Sequence, residues 1–465
     1  MAPFVCGMIA DRIPPLKGNC LAELKRTHLS VRQEQAILVG VILPGSTADP
    51  NDPLGELAAL AETAGAKIVG HILQKRRRVD SGSYVGSGKV LEIAEMARRE
   101  KADVVIFDND LSPGQIGSIE MTINKEIGAK HGVGVKVLDR SELILDIFAG
   151  RARTHEAKLQ VELAQMEYTY PRLTRMWAHL ERIGGGAGIG IGARGPGEQQ
   201  LEIDRRLARK RVVALKREIA IISARKDRLI QQRKGAHFTI CIVGYTNAGK
   251  STLFNTLTSA GVEADPRLFA TLDTRTRAWK LERGITALLS DTVGFVRDLP
   301  HHLVASFKAT LQEAVHADLL LHVLDVGQAR AEQQFASVQQ VLNEIGAGDK
   351  PQVLLLNKID TEEGEKQFPA WRTLNPGAIG ISAKTGKGIA DLYGAVMKQM
   401  RGQQVTVTLE AATSNGKLLS FIERHGEVQD RVFNDGRVRM VVLMGRQTLA
   451  DLSRNEQVEV VKVEE

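Results

Sequence analysis

Short apolar runs alternate with amphipathic segments along the chain from residue 36 to about residue 150. The predicted strands are 36–43, 67–73, 103–108 and 135–139, and the predicted helices lie near 54–64, 88–101, 114–128 and 140–150. Such alternation is typical of a largely parallel sheet covered by helices. We therefore predict an N-terminal α/β domain over 36–150, preceded by a flexible lead-in over 1–35 that has no sustained period.

A helical period follows, interrupted by glycine. Apolar residues recur at intervals of three and four at Leu159, Leu163, Met166, Leu173, Trp177 and Leu180, and again at Leu201, Leu207, Leu215, Ile222 and Leu229. This spacing predicts two long helices, of which Pro171 bends the first. The glycine-rich stretch 184–197 is the turn between them, so we predict a helical hairpin over 151–235.

Alternation of strands and helices returns after the hairpin. The predicted strands are 238–244, 285–291, 318–326, 351–357 and 377–382, which indicate a second α/β domain over 236–400. Beyond it, 402–465 reads as a small α+β domain of order βαββαβ, with a turn at 434–436. The fold class is thus a multidomain α/β protein with a long antiparallel helical hairpin and a small C-terminal α+β domain.

The overall composition is that of an ordinary globular protein, but the distribution of charge indicates a polyanionic partner. The 465 residues carry a net charge of +7. Residues 151–234 contain 19 basic and nine acidic residues, an excess of ten, so the remainder is slightly acidic. This concentration of positive charge favours binding of a polyanion by one region of the chain.

Other features predict a cytoplasmic protein with no membrane span. The chain has three cysteines without metal-ligand spacing, no signal segment and no apolar run of membrane-spanning length.

GYTNAGKST, residues 244–252, matches G-x-x-x-x-G-K-[ST] between a predicted strand and a predicted helix. In such a loop, backbone N–H groups surround phosphate, Lys250 reaches the β and γ oxygens, and Ser251 can bind Mg²⁺. DTVG at 291–294 follows a strand, where Asp291 can hold Mg²⁺ through water and the amide of Gly294 can meet the γ-phosphate.

Two further motifs lie at strand ends. The carboxylate of Asp360 in NKID suits the two donors of guanine, which adenine lacks, and SAK follows the next strand. Four motifs in this order indicate a P-loop GTPase that hydrolyses GTP to GDP and phosphate. The predicted nucleotide-binding residues are Gly244, Tyr245, Thr246, Asn247, Ala248, Gly249, Lys250, Ser251, Thr252, Asp291, Gly294, Asn357, Lys358, Asp360, Ser382, Ala383 and Lys384.

A threonine between these motifs is expected to complete the Mg²⁺ site. FATLDTRT offers Thr271, Thr274 and Thr276, and we favour Thr271 because F-[AT]-T-L resembles the stretch found in related bacterial GTPases. Asn247 resembles the asparagine that helps hold K⁺ in some GTPases, which makes K⁺ a second candidate ion.

Two other glycine stretches fail the tests for phosphate binding. In GSGK, residues 86–89, Ser83 occupies the position of the first glycine and Val90 that of the Mg²⁺-binding hydroxyl, so we interpret it as the start of a helix, which leaves a weaker anion site possible there. GIGARG, residues 190–195, spells G-x-G-x-x-G but follows a basic helix instead of a strand, which excludes a dinucleotide-binding unit.

Phe295 follows DTVG, where many GTPases carry the glutamine that orients the attacking water. An aromatic ring cannot do this, so no residue is assigned a catalytic role. We predict slow intrinsic hydrolysis that a macromolecular partner accelerates.

Longer motifs resemble one family. FDNDLSPGQ (107–115), DRSELILDIFAGRARTHEAKLQVELAQMEY (139–168), PRLTRMW, RGPGEQQLEIDRR (194–206), GYTNAGKSTLFN and FATLD are similar to the HflX family of bacterial ribosome-associated GTPases, over roughly 36–400. The resemblance implies a GTPase that binds the large ribosomal subunit and its RNA, splits stalled or stressed ribosomes and recycles them, with the hairpin near the peptidyl-transferase region. The chain departs from the family in a longer tip, GGGAGIGIGARGPGE, and in Thr274, where proline is common.

Basic residues near the glycine tip suit RNA phosphates. The predicted RNA-binding residues are Arg194, Arg205, Arg206, Arg209 and Lys210, and Arg211, Lys216 and Arg217 continue the same helix. Two alternatives stay open: an ATP-dependent RNA remodeller that uses the N-terminal domain, and a GTP-switched RNA-binding module in which hydrolysis drives no work. We expect a monomer.

Overall fold

The computed structural model describes residues 34–128, 134–168, 196–234, 237–258, 268–269, 274–281, 286–297, 311–434, 436–445, 449, 452 and 458–464, except for 47, 50 and 403. Three sheets and a pair of long helices organise this part of the chain. The predicted multidomain α/β class is confirmed. Among the described helices, none combines the length and apolar composition that a membrane crossing requires.

The first sheet has the order β2-β1-β3-β4 and is parallel throughout, as predicted. Its elements are β1 Gln35–Ile42, α1 Gly55–Ala64, β2 Lys67–Lys75, α2 Ser87–Glu100, β3 Val104–Phe107, α3 Pro113–Ile127, β4 Lys136–Asp139 and α4 Arg140–Arg151. We call this unit the N-terminal domain. Strands β1 and β3 are apolar on both faces because helices cover both sides of the sheet.

Local signals fix the helix ends in this domain. Ser112 and Gln115 form a reciprocal capping box at the start of α3, with Pro113 in its first turn. Asp139 caps α4 by accepting a hydrogen bond from the backbone N–H of Glu142. The GSGK stretch is where α2 begins, with Gly86 as the N-cap residue.

The hairpin consists of α5 (155–168) and α6 (Pro196–Lys234). Helix α6 begins five residues before the first apolar position, Leu201, that the period predicted, because Pro196 is well suited to a first helical turn. Leu159, Leu163 and Leu215 are buried between the helices. Residues 184–195 of the predicted tip and Pro171 lie outside the described residues, whereas residues 196 and 197, which were assigned to the tip, form the start of α6.

The second sheet has the order β10-β9-β8-β5-β7-β6. Its elements are β5 Phe238–Gly244, α7 Lys250–Thr258, β6 Arg275–Lys280, β7 Thr286–Asp291, α8 (311–316), β8 Leu319–Asp325, α9 Ala331–Glu344, β9 Gln352–Asn357, α10 Glu362–Leu374, β10 Ile379–Gly380 and α11 Ile389–Gly402. We call this unit the G domain. Strand β6, which the sequence pattern did not predict, is a half-exposed edge strand antiparallel to β7.

The third sheet is antiparallel with the order β12-β13-β11-β14. It comprises β11 Gln404–Ala412, α12 Gly416–His425, β12 Gly426–Asn434, β13 Arg437–Gly445 and β14 Val458–Glu464. Of the predicted helix near 446–454, only Leu449 and Leu452 lie within the described residues, and both are helical.

The N-terminal domain and the G domain share one apolar core. Leu268, Phe269, Val293 and Val296 of the G domain pack into the cluster that α1 and α4 form on the first sheet. The ring centroids of Phe269 and Phe148 are 4.6 Å apart in an edge-to-face arrangement. The segments that flank the predicted nucleotide site are thus buried against another domain.

Candidate nucleotide-binding site

The predicted motifs meet at one edge of the second sheet. Gly244 pairs with Val323, Ile242 pairs with Asp291, and Asp325 pairs with Asn357, all in parallel register. Parallel strands bring their carboxyl ends to the same edge, which is where open α/β sheets bind ligands. The sheet therefore assembles residues that are more than 100 positions apart in the chain.

The loop 244–250 has two positions, Gly244 and Gly249, at which only glycine fits. Gly244 and Gly249 have φ angles of +151° and +98°. A Cβ on Gly249 would collide with the side-chain amide of Asn357, and one on Gly244 would collide with the carbonyl of Val323. Asn247 has a φ of +59°, a left-handed conformation that asparagine tolerates. The backbone N–H groups of the loop can therefore come close to a bound phosphate.

Lys250 is the buried cation of the loop, 6% exposed. Its ammonium donates to the carbonyl oxygen of Tyr245 at 2.7 Å. Burial lowers its pKa to about 8, and the charge of Asp291 opposes that shift. An ammonium held in a desolvated site interacts strongly with an incoming phosphate.

Ser251 and Asp291 stand together beside Lys250. The Ser251 hydroxyl donates to Oδ2 of Asp291 at 2.9 Å, and Asp291 is 1% exposed. A hydroxyl and a carboxylate at this separation are the oxygen donors that Mg²⁺ prefers. The residues present therefore fit a Mg²⁺ ion bound with the nucleotide.

Of the three candidate threonines, the favoured Thr271 lies outside the described residues. Thr276 belongs to β6, and its hydroxyl lies 2.9 Å from that of Ser290 in the neighbouring strand. Thr274 precedes β6 and is half-buried. The choice of Thr271 stays a prediction.

Asn357 connects two parts of the site. Its side-chain amide donates to the carbonyl of Ala248 at 2.7 Å and accepts from the backbone N–H of Ala383 at 2.9 Å. Thr256 donates to the carbonyl of Ala383 at 2.7 Å. These bonds fix the SAK loop relative to the phosphate loop.

Lys358 and Asp360 follow at the end of β9. Lys358 has a φ of +65°, and its ammonium lies 2.7 Å from Oδ2 of Asp325. Asp360 is exposed and free to face a base, whereas Ser382 is fully buried and accepts from the backbone N–H of Thr385. Lys384 is exposed beside them.

The side chains of two residues near the phosphate make tertiary contacts. The hydroxyl of Tyr245 donates to Glu56 of the N-terminal domain at 2.8 Å, so its side chain points away from the loop. Phe295 is 2% exposed and packs with Leu311 and Ala314. The contact of Tyr245 does not follow from the local sequence, because Glu56 lies 189 positions earlier in the chain.

Family models cover most of the chain. "GTP-binding GTPase N-terminal" matches 51–149, "GTP-binding GTPase Middle Region" matches 151–233, and "50S ribosome-binding GTPase" matches 239–358. A curated relative, "GTPase HflX" of Escherichia coli strain K12, is 42% identical over 88% of this chain and 93% of its own length. The chain belongs to the HflX family of GTPases. It is therefore a GTP hydrolase, and the resemblance drawn from its motifs is confirmed.

A second curated relative agrees with membership of the HflX family. "GTPase HflX" of Caldanaerobacter subterraneus subsp. tengcongensis is 39% identical over 90% of this chain and 91% of its own. Among solved structures, a GTP-binding protein from Sulfolobus solfataricus in complex with GDP is 25% identical over 79% of this chain and 98% of that chain, with a TM-score of 0.42.

The basic residues of the hairpin fall into two sets, those paired with carboxylates of α5 and those that are exposed. Arg211 forms two hydrogen bonds of 2.9 Å with the carboxylate of Glu162 on α5, which raises the pKa of Arg211, and Lys216 lies 2.7 Å from Glu167. These pairs connect α6 to α5. Arg206, Arg209 and Lys210 are exposed. Arg194 and the side chain of Arg205 lie outside the described part.

Proposed function

We propose that this HflX family member binds the large ribosomal subunit through its hairpin and uses GTP to split stalled or stressed ribosomes. The observation that carries the proposal is the outward face of α6. Arg206, Lys210 and Arg217 are exposed and lie on one helical face, opposite the buried Leu215. A basic face of this kind can bind the phosphates of folded RNA.

The length of the hairpin supports the same proposal. The 39 residues of α6 extend roughly 58 Å at 1.5 Å per residue. A helix of this length can carry basic residues far from the G domain. The chain would act as a cytoplasmic, ribosome-associated monomer in this role.

In the proposed GTP complex, loop amides and Lys250 hold the phosphates, and Asp360 selects guanine. Ser251, Thr271 and, through water, Asp291 would hold Mg²⁺, which neutralises the charge that develops on the phosphates. Asn247 would contribute to K⁺ binding. Hydrolysis is proposed to be slow until the large subunit orders the segments near Thr271 and Phe295.

Sedimentation of intact ribosomes with the full-length chain tests the function. We expect GTP to produce free subunits, with the chain migrating with the large subunit, and GDP to leave ribosomes intact. Equal splitting with a non-hydrolysable GTP analogue would favour the switched RNA-binding module, since binding energy alone would then suffice. Intact ribosomes under all conditions would contradict the proposal.

Charge reversal of the exposed basic residues near the tip end of α6 tests the RNA contact. The variant Arg206→Glu/Arg209→Glu/Lys210→Glu should weaken large-subunit binding and reduce the salt dependence of the affinity, because each lost phosphate contact lowers the slope by about one. The measurement is co-sedimentation at several salt concentrations. A neutral variant at the paired positions, Arg211→Gln/Lys216→Gln, is the control, and an equal effect from it would argue for loss of hairpin structure instead.

The remodeller alternative predicts a second nucleotide site. It requires ATP binding by a fragment ending near Lys234, which contains no P-loop. Direct titration of that fragment with ATP separates the two proposals, because only the remodeller predicts that it binds.

A further inference from the structure

The side chain of Thr246, in the phosphate loop, carries a buried hydroxyl without a hydrogen-bond partner. Thr246 is 7% exposed, and its Oγ1 is the only buried hydroxyl oxygen in the described part of the chain that lacks such a partner. Neighbouring hydroxyls are paired, since Ser251 donates to Asp291 at 2.9 Å and Thr292 donates to the carbonyl oxygen of Ile242 at 2.8 Å. Native proteins seldom keep an unpaired buried hydroxyl unless a function, a water or an ion accounts for it.

Packing alone does not require threonine at position 246. Valine has nearly the same shape and would fill the same space without leaving a polar atom unpaired. An unpaired buried hydroxyl destabilises the folded protein, so the exchange for valine should be neutral or stabilising. The fold of the loop therefore does not explain the hydroxyl, whereas a ligand bound beside Thr246 would explain it.

The Thr246 side chain lies beside the groups that are expected to meet the γ-phosphate. A Cβ on Gly294 would lie 2.8 Å from the methyl carbon of Thr246, 2.9 Å from its Cα and 2.8 Å from the Lys250 ammonium. In a P-loop site the lysine contacts the β and γ phosphates, and the amide of Gly294 can meet the γ-phosphate. Thr246 consequently borders the position of the third phosphoryl group.

The hydroxyl is the donor that Thr246 has available for a ligand. Its backbone N–H already donates to the carbonyl oxygen of Phe295 at 2.7 Å. The hydroxyl and the methyl group share one carbon, so a turn of about 120° about χ1 brings the hydroxyl to the place of the methyl group, beside Gly294. This turn leaves the backbone of the loop unchanged.

We propose that the Thr246 hydroxyl donates a hydrogen bond to an oxygen of the γ-phosphoryl group, so that Thr246 favours GTP over GDP. A diphosphate places no oxygen at this position, and the hydroxyl then stays unpaired. Hydrogen bonds to a charged group are stronger than those between neutral groups. The proposal rests on the GTP complex described under the proposed function and adds a side-chain contact to the backbone contacts of the loop.

Affinities of the full-length chain for fluorescent GDP and for a fluorescent, non-hydrolysable GTP analogue, both with Mg²⁺, test the proposal. In Thr246→Val we expect the affinity for the analogue to fall about tenfold or more, because a hydrogen bond to a charged group is lost, and the GDP affinity to stay within about twofold. Thr246→Ser keeps the hydroxyl, so its ratio of analogue to GDP affinity should stay close to that of the unaltered chain.

Thermal unfolding without nucleotide separates this role from a structural one. Thr246→Val should melt at the same temperature as the unaltered chain or higher, because it removes an unpaired buried polar atom. Thr239→Val is the matched control. The Thr239 hydroxyl, near the amino end of β5, donates to Asp318 at 2.8 Å. Its loss should lower the melting temperature and leave both nucleotide affinities unchanged.

Three results would overturn the proposal. The first is an unchanged affinity of Thr246→Val for the analogue, which would mean that water satisfies the hydroxyl. The second is an equal fall in the affinities for analogue and GDP, and the third is a fall in Thr246→Ser as large as in Thr246→Val. Failure of the unaltered chain to bind GDP would contradict the nucleotide site as a whole, and this proposal with it.

Discussion

Without ribosomes, the chain should hydrolyse GTP at no more than about 10⁻⁴ to 10⁻³ per second, and large ribosomal subunits should raise that rate by up to about 10⁵-fold. We expect a slow basal rate because Phe295 stands where many GTPases carry the glutamine that orients water. Its side chain is buried and its backbone N–H and carbonyl are both bonded to the phosphate loop. It offers no carboxamide to orient water, so acceleration must come from groups that a partner orders or supplies.

The measurement is turnover of GTP under single-turnover and steady-state conditions, with and without purified large subunits. Small subunits at the same concentration are the control, because they supply RNA and protein without the proposed docking site. Turnover near one per second by the chain alone would contradict the interpretation of Phe295. Equal stimulation by both subunits would contradict a specific role of the large one.

Asp360→Asn should lower the affinity for GDP by about 10²-fold or more and create binding of xanthosine diphosphate. The carboxylate accepts two hydrogen bonds from guanine, and each hydrogen bond to a charged group contributes about 1.5 to 3 kcal/mol. An asparagine amide instead donates one and accepts one, which matches the 2-oxo group and N1–H of xanthine.

The structure explains why the exchange should change specificity without disturbing the site. The backbone around Asp360 is fixed by the ion pair of Lys358 with Asp325 and by the cap that Thr361 provides for α10. The side chain of Asp360 itself is exposed. Only its contacts with the base should therefore be altered.

Competitive titration with the two diphosphates measures the change. Glu362→Gln is the control, since Glu362 is an exposed carboxylate in the next turn, paired with Lys366. It should leave both affinities unchanged. Loss of GDP binding without any gain for xanthosine diphosphate would argue that Asp360 acts through the fold and not through the base.

Much of the architecture was predictable from local pattern. Apolar runs such as 36–43 and 319–325 are strands buried on both faces, and a parallel sheet covered by helices requires that composition. The phosphate-loop motif requires glycine at 244 and 249 because these positions have backbone conformations or close approaches that other residues do not allow. These constraints act over a few residues, so the sequence displays them directly.

Edge strand β6 and the early start of α6 were not predicted. Arg275–Lys280 is polar and half-exposed, and only its ladder with β7 makes it a strand. In the sequence, nothing distinguishes one basic residue of α6 from another. In the structure, Arg211 and Lys216 form ion pairs with Glu162 and Glu167 on α5. Pairing across a hairpin depends on the rotation of both helices, which a one-dimensional pattern does not contain.

By itself, the sequence determined the fold class, the motifs of a GTPase and the membership of the HflX family that the comparisons confirm. Tertiary structure alone decided that Glu56, Asp108 and Arg140 meet Arg297 beside the phosphate loop. In the sequence these are ordinary charged residues spread over more than 240 positions, of the kind usually solvated at a surface. They are buried only where the two domains meet. Burying an unpaired charge costs much free energy, so burial requires opposite charges, which here come from distant segments of the chain.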